Sequence, residues 1–135
     1  MLGETKRDNY YMIIGTGIDI VDLRRFHDMD SDRLNRLAKR ILTDDELVEF
    51  RQLDEVKHPV HLAKMWSIKE SIGKAFGTGI SNDSVWKNMQ IYKNSLGQPQ
   101  VQFLGALARK TVICHVSVSH DGDYLVSNAV LDHVH

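Results

Sequence analysis

The sequence is poor in the features that mark secreted and membrane proteins. It contains one cysteine, Cys114, so neither an intramolecular disulfide nor a cysteine-based zinc site can form. No apolar run approaches the roughly 20 residues that a membrane-spanning helix needs. The first residues are polar and lack the apolar segment of a signal peptide. We therefore expect a cytoplasmic protein that does not associate with membranes.

An excess of charge of one sign is also missing. Lys and Arg number 17 against 18 Asp and Glu, which disfavours a nucleic-acid binder, because phosphate neutralisation needs clustered excess cations. Hydrophobic residues make up 42% of the chain, which excludes a disordered protein. A length of 135 residues suits one core. We predict a polar N-terminal tail over residues 1–11 and a single domain over residues 12–135.

The first apolar segment, residues 12–21, alternates in the manner of a β-strand. Isoleucines fall on one face, whereas Gly15, Gly17 and Asp19 fall on the other. Because this second face is nearly bare of side chains, another element or a ligand can approach Asp19 closely.

The rest of the chain predicts helices first and strands later. Residues 22–42 are basic with a helical pattern, and Thr43 and Glu46 form a capping box that opens a short helix through about residue 53. Pro59 precedes the longest helix, residues 61–76, which ends at Gly77. Strands are expected at 89–93, 101–104, 112–120 and 125–131, with a turn at 94–99. This order predicts an α+β fold in which an antiparallel sheet packs with a long central helix.

The long helix has an unusual second face. Its core stripe is ordinary and consists of Met65, Ile68, Ile72 and Phe76. The opposite face carries Trp66, Glu70, Gly73 and Lys74, and a glycine inside a helix costs about 1 kcal/mol relative to alanine. Close approach of a backbone or a ligand to Glu70 and Lys74 would account for the small residues. The alternative is a surface ion pair, because Glu four residues before Lys is the favourable order. Both interpretations remain open at this point.

Two further motifs carry weaker signals. The loop at 77–80 resembles a phosphate cradle, but it follows a helix C-terminus, so helix termination by Gly77 explains it better. Ser119, His120 and Asp121 look like a catalytic triad only in sequence, because neighbouring strand residues point to opposite faces. His120 remains a candidate ligand contact at the strand end, the alternative being a histidine that stabilises the turn.

Three segments together resemble one enzyme family. GTGIDIVDLRRF at 15–26, MWSIKESIGKAFGTGI at 65–80 and HVSVSHD at 115–121 are similar in content, order and spacing to motifs of the holo-[acyl-carrier-protein] synthases. These belong to the 4′-phosphopantetheinyl transferase superfamily, and the likeness extends over residues 12–131. The likeness implies the fold of that superfamily. It also implies the Mg²⁺-dependent transfer of 4′-phosphopantetheine from coenzyme A to a serine of apo-acyl carrier protein, for fatty acid biosynthesis. Adenosine 3′,5′-bisphosphate is released.

The resemblance also implies roles for individual residues. Asp19 and Glu70 would hold Mg²⁺, and with Lys74, which would neutralise phosphate charge, they form the expected catalytic set. The coenzyme A site would comprise Trp66, Lys74, Gly77, Thr78 and His120. The acceptor of the serine proton is left open between Glu70 and a Mg²⁺-bound water.

The resemblance finally implies a protein partner and an assembly. Arg25, Arg36 and Arg40 would face the acidic carrier, and residues 23–42 hold six basic residues against three acidic ones. A homotrimer with active sites at subunit interfaces is expected. Two other functions remain open on the residues alone. They are a Mg²⁺-dependent hydrolase of nucleotide diphosphates and a non-catalytic module that binds an acidic protein.

Overall fold

The computed structural model describes residues 11–77, 83–108 and 111–134. The longer elements, in chain order, are β1 (Tyr11–Asp22), α1 (Leu23–His27), α2 (Ser31–Ile41), α3 (Asp44–Gln52), α4 (His58–Phe76), α5 (Asp83–Trp86), β2 (Met89–Lys93), β3 (Pro99–Phe103), β4 (Val112–Asp121) and β5 (Tyr124–Val134). Short 3₁₀ turns cover Glu55–Lys57 and Gly105–Leu107. In the described part of the chain, no helix is long and apolar enough to cross a membrane.

The strands form two antiparallel sheets. The larger sheet has the order β1–β5–β4, and β2 pairs with β3 in a separate hairpin. The predicted α+β class with an antiparallel sheet and a long helix is confirmed. Predicted strand positions agree within about three residues, and β1 begins at Tyr11, one residue before the expected start of the domain. The remainder of the predicted tail lies outside the described residues.

The basic segment, residues 22–42, forms two helices, α1 and α2, rather than one continuous helix. Asp22 caps α1 by accepting from the Arg24 amide, and Asp30 caps α2 by accepting from the Arg33 amide at 2.8 Å. Each aspartate satisfies an amide that the first turn leaves unpaired, so each starts a helix. The break between the helices turns the chain, and both pack one apolar side against α4.

The capping box forms as predicted. Thr43 accepts from the Glu46 amide, while the Glu46 carboxylate accepts from the Thr43 amide at 2.8 Å. Pro59 stands in the first turn of α4, which begins three residues earlier than expected. This helix is the centre of the fold, since it contacts the large sheet on one side and α1–α3 on another. Ala63 and Ser71 are therefore fully buried although they lie off a single apolar stripe.

Two glycines of β1 let the sheet approach α4 at backbone distance. A Cβ atom placed on Gly17 would lie 1.9 Å from the Ser71 carbonyl oxygen, and one on Gly15 would lie 2.0 Å from that of Ala75. No other residue type fits at these separations. The predicted close approach is thus confirmed on the strand side.

Gly77 was predicted to end the long helix, and the structure confirms this. A Cβ atom on Gly77 would meet no atom of the described residues within 4 Å. Its φ of 84° places it in the left-handed region, where it ends α4. The glycine is explained by the backbone conformation of the helix cap rather than by contact.

Candidate active site

Asp19 lies on the face of β1 that meets α4, between the sheet and the helix. Its side chain is only 12% exposed. One carboxylate oxygen, Oδ1, accepts from Lys74 Nζ at 3.2 Å. The other, Oδ2, is buried and has no hydrogen-bond partner among the described residues. Because an unpaired buried carboxylate oxygen is costly, this atom points to a cation or donor that binds there.

Lys74 reaches from the last turn of α4 to β1. Its ammonium donates to the Ile18 carbonyl at 2.9 Å as well as to Asp19. Within the described chain, its ion pair is with Asp19 rather than with Glu70 of its own helix. The simple surface-pair interpretation of Glu70 and Lys74 therefore does not describe this site. The lysine side chain remains half exposed, so it can also reach a ligand.

Glu70 joins the same site from one turn earlier on α4. Burial raises the pKa of its carboxyl group, and the neighbouring Asp19 carboxylate raises it further. Lys74 and Arg25 act in the opposite direction. The structure thus brings Asp19, Glu70 and Lys74 together, two of them from positions 51 to 55 residues after the first.

An aromatic stack borders the site. The ring of Trp66 lies 5.0 Å from the ring of Trp86 and 6.3 Å from that of Phe26. The Arg25 guanidinium lies 5.5 Å from the Trp66 ring centroid, within range of a cation–π interaction. Arg25 therefore sits at the edge of the site, in contact with Trp66, and not only on a helix surface.

The remaining predicted coenzyme A contacts are spread along the fold. Gly77 directly follows α4, one turn beyond Lys74, and Thr78 lies outside the described residues. His120 is exposed near the end of β4, opposite Leu125 of β5. In the described portion no hydrogen bond or ion pair joins His120 to Asp19, Glu70 or Lys74. A single copy of the chain therefore leaves His120 facing solvent.

Arg36 and Arg40 line a groove along α2. Its volume is about 360 Å³, and it is lined by Met29, Arg33, Arg36, Leu37 and Arg40. The lining thus combines two apolar side chains with three cations. Such a surface favours an acidic partner over a basic one.

Lys69 and Glu46 were not identified from the sequence as an interacting pair. Lys69 Nζ lies 2.7 Å from Glu46 Oε1, and both side chains are almost completely buried. Burial lowers the pKa of Lys69, and the Glu46 carboxylate counteracts that shift. A signal was present, because Lys69 lies four residues after Met65 and three before Ile72, on the core stripe of the helix. A lysine at such a position requires a buried acidic partner.

The comparison with protein families gives one match. The model of the 4′-phosphopantetheinyl transferase superfamily matches residues 15–129. This range holds most of β1, every element from α1 to β4 and about half of β5, together with Asp19, Glu70 and Lys74. The chain belongs to the 4′-phosphopantetheinyl transferase superfamily.

Curated relatives specify the branch of that superfamily. The chain is 36% identical over 121 residues to the holo-[acyl-carrier-protein] synthase of Bacillus subtilis, covering 90% of this chain and 97% of the relative. It is 38% identical over 111 residues to that of Erwinia tasmaniensis, covering 79% and 86%. These relatives place the chain among the holo-[acyl-carrier-protein] synthases, so it is an enzyme.

Solved structures agree with that placement. The holo-[acyl-carrier-protein] synthase of Neisseria meningitidis superposes with a TM-score of 0.76 at 33% identity, covering 89% of this chain and 98% of that one. The synthase of Bacillus anthracis, solved in complex with CoA (3′,5′-ADP), has a TM-score of 0.75 at 29% identity and covers 90% and 98%. The expected fold type is thereby confirmed.

Proposed function

We propose that this chain transfers 4′-phosphopantetheine from coenzyme A to a serine of an apo-acyl carrier protein, using Asp19, Glu70 and Lys74. The products are the holo-carrier and adenosine 3′,5′-bisphosphate, and we assign the reaction to cytoplasmic fatty acid biosynthesis. The convergence of two carboxylates and a lysine beside an unpaired Asp19 oxygen carries this proposal.

The residues present fit a Mg²⁺ ion. Mg²⁺ is commonly held by one or two carboxylates, with water and substrate phosphates completing the coordination shell. Asp19 Oδ2 is a buried oxygen without a partner in the described chain, and Glu70 is the nearby second carboxylate. No cluster of three or more metal-ligating side chains occurs among the described residues, so water and substrate phosphates would have to supply the other ligands. When bound, Mg²⁺ would neutralise negative charge on that diphosphate.

The chain's own residues then position the substrates and stabilise charge. The serine oxygen bonds to the phosphorus of the pantetheine phosphate, while the bond from that phosphorus to the bridging oxygen breaks. Lys74, already held by the Ile18 carbonyl, places a positive charge beside the reacting phosphate. Glu70, whose pKa burial and Asp19 raise, is one acceptor for the serine proton.

The carrier protein is proposed to dock on Arg36 and Arg40, with Arg25 at the boundary of the active site. The groove on α2 supplies positive charge around Met29 and Leu37. Arg25 contacts Trp66 and lowers the pKa of Glu70. An acidic partner on α1 and α2 would therefore be adjacent to the residues that carry out the transfer.

A homotrimer is the proposed assembly, and the outer face of the large sheet supports it. Ile18 and Ile20 of β1 are 63% and 65% exposed, and the adjacent strand places Val126 opposite Ile20 and Asn128 opposite Ile18. Exposed apolar side chains interspersed with polar ones in this way are compatible with a protein interface. In such an assembly His120, exposed near the end of β4, would be available to complete the site of a neighbouring copy.

Mass spectrometry of an apo-acyl carrier protein, after incubation with the chain, coenzyme A and Mg²⁺, tests the transfer. We expect one added phosphopantetheine per carrier. Free phosphopantetheine would instead support a hydrolase, and carrier binding without turnover would support a non-catalytic module. Asp19→Ala and Glu70→Ala should each abolish Mg²⁺-dependent transfer while the far-ultraviolet circular dichroism is retained. Full activity of either variant would refute the metal assignment.

Charge reversal on α2 tests the docking surface. Arg36→Glu should raise the KM for the carrier about tenfold, while the KM for coenzyme A is unchanged. Lys57→Glu, the same reversal in the exposed 3₁₀ turn before α4, is the matched control and should leave both constants as they are. Equal effects of the two variants would show that general charge, rather than this groove, attracts the carrier.

A further inference from the structure

A buried cation lies next to the active-site glutamate without being part of the site. Lys69 directly precedes Glu70 on α4, and its side chain is 0% exposed. Its ammonium donates to the Ile41 carbonyl at 2.7 Å, to Glu46 Oε1 at 2.7 Å and to the Trp86 carbonyl at 2.9 Å. All three ammonium hydrogens are therefore used.

The acidic partner of Lys69 is just as fully bonded. Glu46 Oε1 also accepts from the Thr43 amide, and Oε2 accepts from the Ile91 amide at 2.6 Å. The pair consequently joins α4 to the last residue of α2, the first turn of α3, the end of α5 and strand β2. A buried ion pair is often no more stabilising than apolar side chains of similar volume, so stability alone does not account for it.

The Trp86 carbonyl is the contact that leads to the active site. Trp86 is the last residue of the four-residue helix α5, and its ring lies against Trp66. Trp66 in turn contacts the Arg25 guanidinium. Lys69 thus fixes the backbone position of Trp86, whose ring packs against Trp66.

We infer that Lys69 is a positioning residue: its bond to the Trp86 carbonyl holds Trp86 against Trp66 and so maintains the shape of the coenzyme A cleft. The inference rests on the proposed role of Trp66 in that cleft. Lys69 itself contacts neither substrate nor metal, because its three donors are all taken inside the protein.

The composition of the chain provides a direct reporter. Trp66 and Trp86 are its two tryptophans. We expect coupling between two indoles whose ring centroids lie 5.0 Å apart to contribute to the circular dichroism of the tryptophan bands, and this contribution to disappear when the rings separate. Tryptophan spectra therefore measure the stack in the folded enzyme, independently of catalysis.

The test variant removes both buried charges together. Lys69→Met with Glu46→Gln leaves no unpaired buried ion, and the single amide oxygen of the new glutamine side chain keeps one of the two backbone amide bonds that Glu46 Oε1 and Oε2 accept. We expect this double variant to fold, to lose the Trp–Trp dichroism and to show a KM for coenzyme A raised about fivefold, with kcat changed less than about twofold.

A matched control comes from a second buried polar pair on the same helix. Ser67 and Ser127 are both buried, and their hydroxyl oxygens lie 2.7 Å apart. Ser67→Ala with Ser127→Ala also removes a link between α4 and its surroundings, two residues from Lys69. This variant should lower the thermal midpoint but leave the tryptophan dichroism and the KM unchanged.

Two results would overturn the inference. The first is a folded Lys69/Glu46 variant with wild-type tryptophan dichroism, and the second is an equal loss of that signal in the serine control. Trp66→Ala separates this inference from the proposed function. A normal KM for coenzyme A in that variant would refute the role of Trp66 and the cleft-shaping role of Lys69 with it. Formation of the wild-type transfer product with a raised KM for coenzyme A, in Trp66→Ala and in the Lys69/Glu46 variant, would support the role of Trp66 and that of Lys69.

Discussion

On strand β1, the residues that face α4 are glycines and an aspartate, whereas the opposite face carries isoleucines. A half-buried antiparallel strand normally directs its apolar residues to the core. Here Gly17 touches the helix backbone and Ile18 is 63% exposed. The two faces therefore differ in what they contact. The inner face brings Asp19 to Glu70 and Lys74, and the outer face presents exposed isoleucines, which we propose contact another copy of the chain.

The largest expected effect comes from adding one methyl group to the inner face. Gly17→Ala places a Cβ atom 1.9 Å from the Ser71 carbonyl oxygen, so strand and helix must separate. We expect the free energy of unfolding to fall by about 3 kcal/mol, measured by urea denaturation. Thr16→Ala, on the exposed side of the same strand, is the control and should cost less than about 0.5 kcal/mol. Equal stability of the two variants would contradict the close approach.

A charge on the outer face should break the assembly without unfolding the chain. Ile20→Asp introduces a carboxylate where Ile20 is 65% exposed in a single copy. Sedimentation should change from three chain masses to one, and transfer activity should fall at least tenfold if neighbouring copies complete each site. Val56→Asp, at a 79% exposed position before α4, should change neither property. Retention of the trimer by Ile20→Asp would refute this interface.

These two faces also show which features of the fold local sequence patterns predict. Strict alternation in β1 predicted the bare face and the position of Asp19, because side-chain direction in a strand depends only on local geometry. The capping box at Thr43 was predictable for the same reason, since its bonds span three residues.

Long-range packing was less predictable. A helical wheel assigned one core stripe to α4, but that helix is covered by the sheet on one side and by α1–α3 on another. The acidic partner of the buried Lys69 comes from this second layer, which the wheel does not contain. The break before α2 was also missed, although Asp30 is a typical N-cap, because the apolar spacing continues through it.

Removing the lysine that links the inner face to the helix should affect catalysis more than stability. Lys74→Met removes the bonds to the Ile18 carbonyl and to Asp19, but the side chain is half exposed. We expect kcat for transfer to fall about 100-fold, and the free energy of unfolding to fall by about 1 kcal/mol, because the Asp19 carboxylate, only 12% exposed, loses its donor. Lys64→Met, earlier on the same helix, is the control. A kcat near that of the unmodified enzyme would exclude a charge-stabilising role for Lys74.

The smallest expected effects come from mutating one polar pair on each face of the large sheet. Ser127 donates to the Ser67 carbonyl at 2.7 Å inside the fold, whereas His115 and Asp132 lie 2.8 Å apart on the outer side. In dilute protein, Ser127→Ala should cost about 1 kcal/mol, because a buried acceptor loses its donor. His115→Gln should cost less than about 0.5 kcal/mol, because water screens the exposed pair.

Repeating both denaturation experiments at high protein concentration tests whether association covers the outer face. If chains associate through the outer face, association removes water from around His115, so loss of the histidine becomes more costly in the assembled protein. The cost of Ser127→Ala should not depend on concentration, because Ser127 is buried in a single copy. A cost of His115→Gln that is the same at both concentrations would indicate that the outer face around β4 stays exposed to solvent in the assembly.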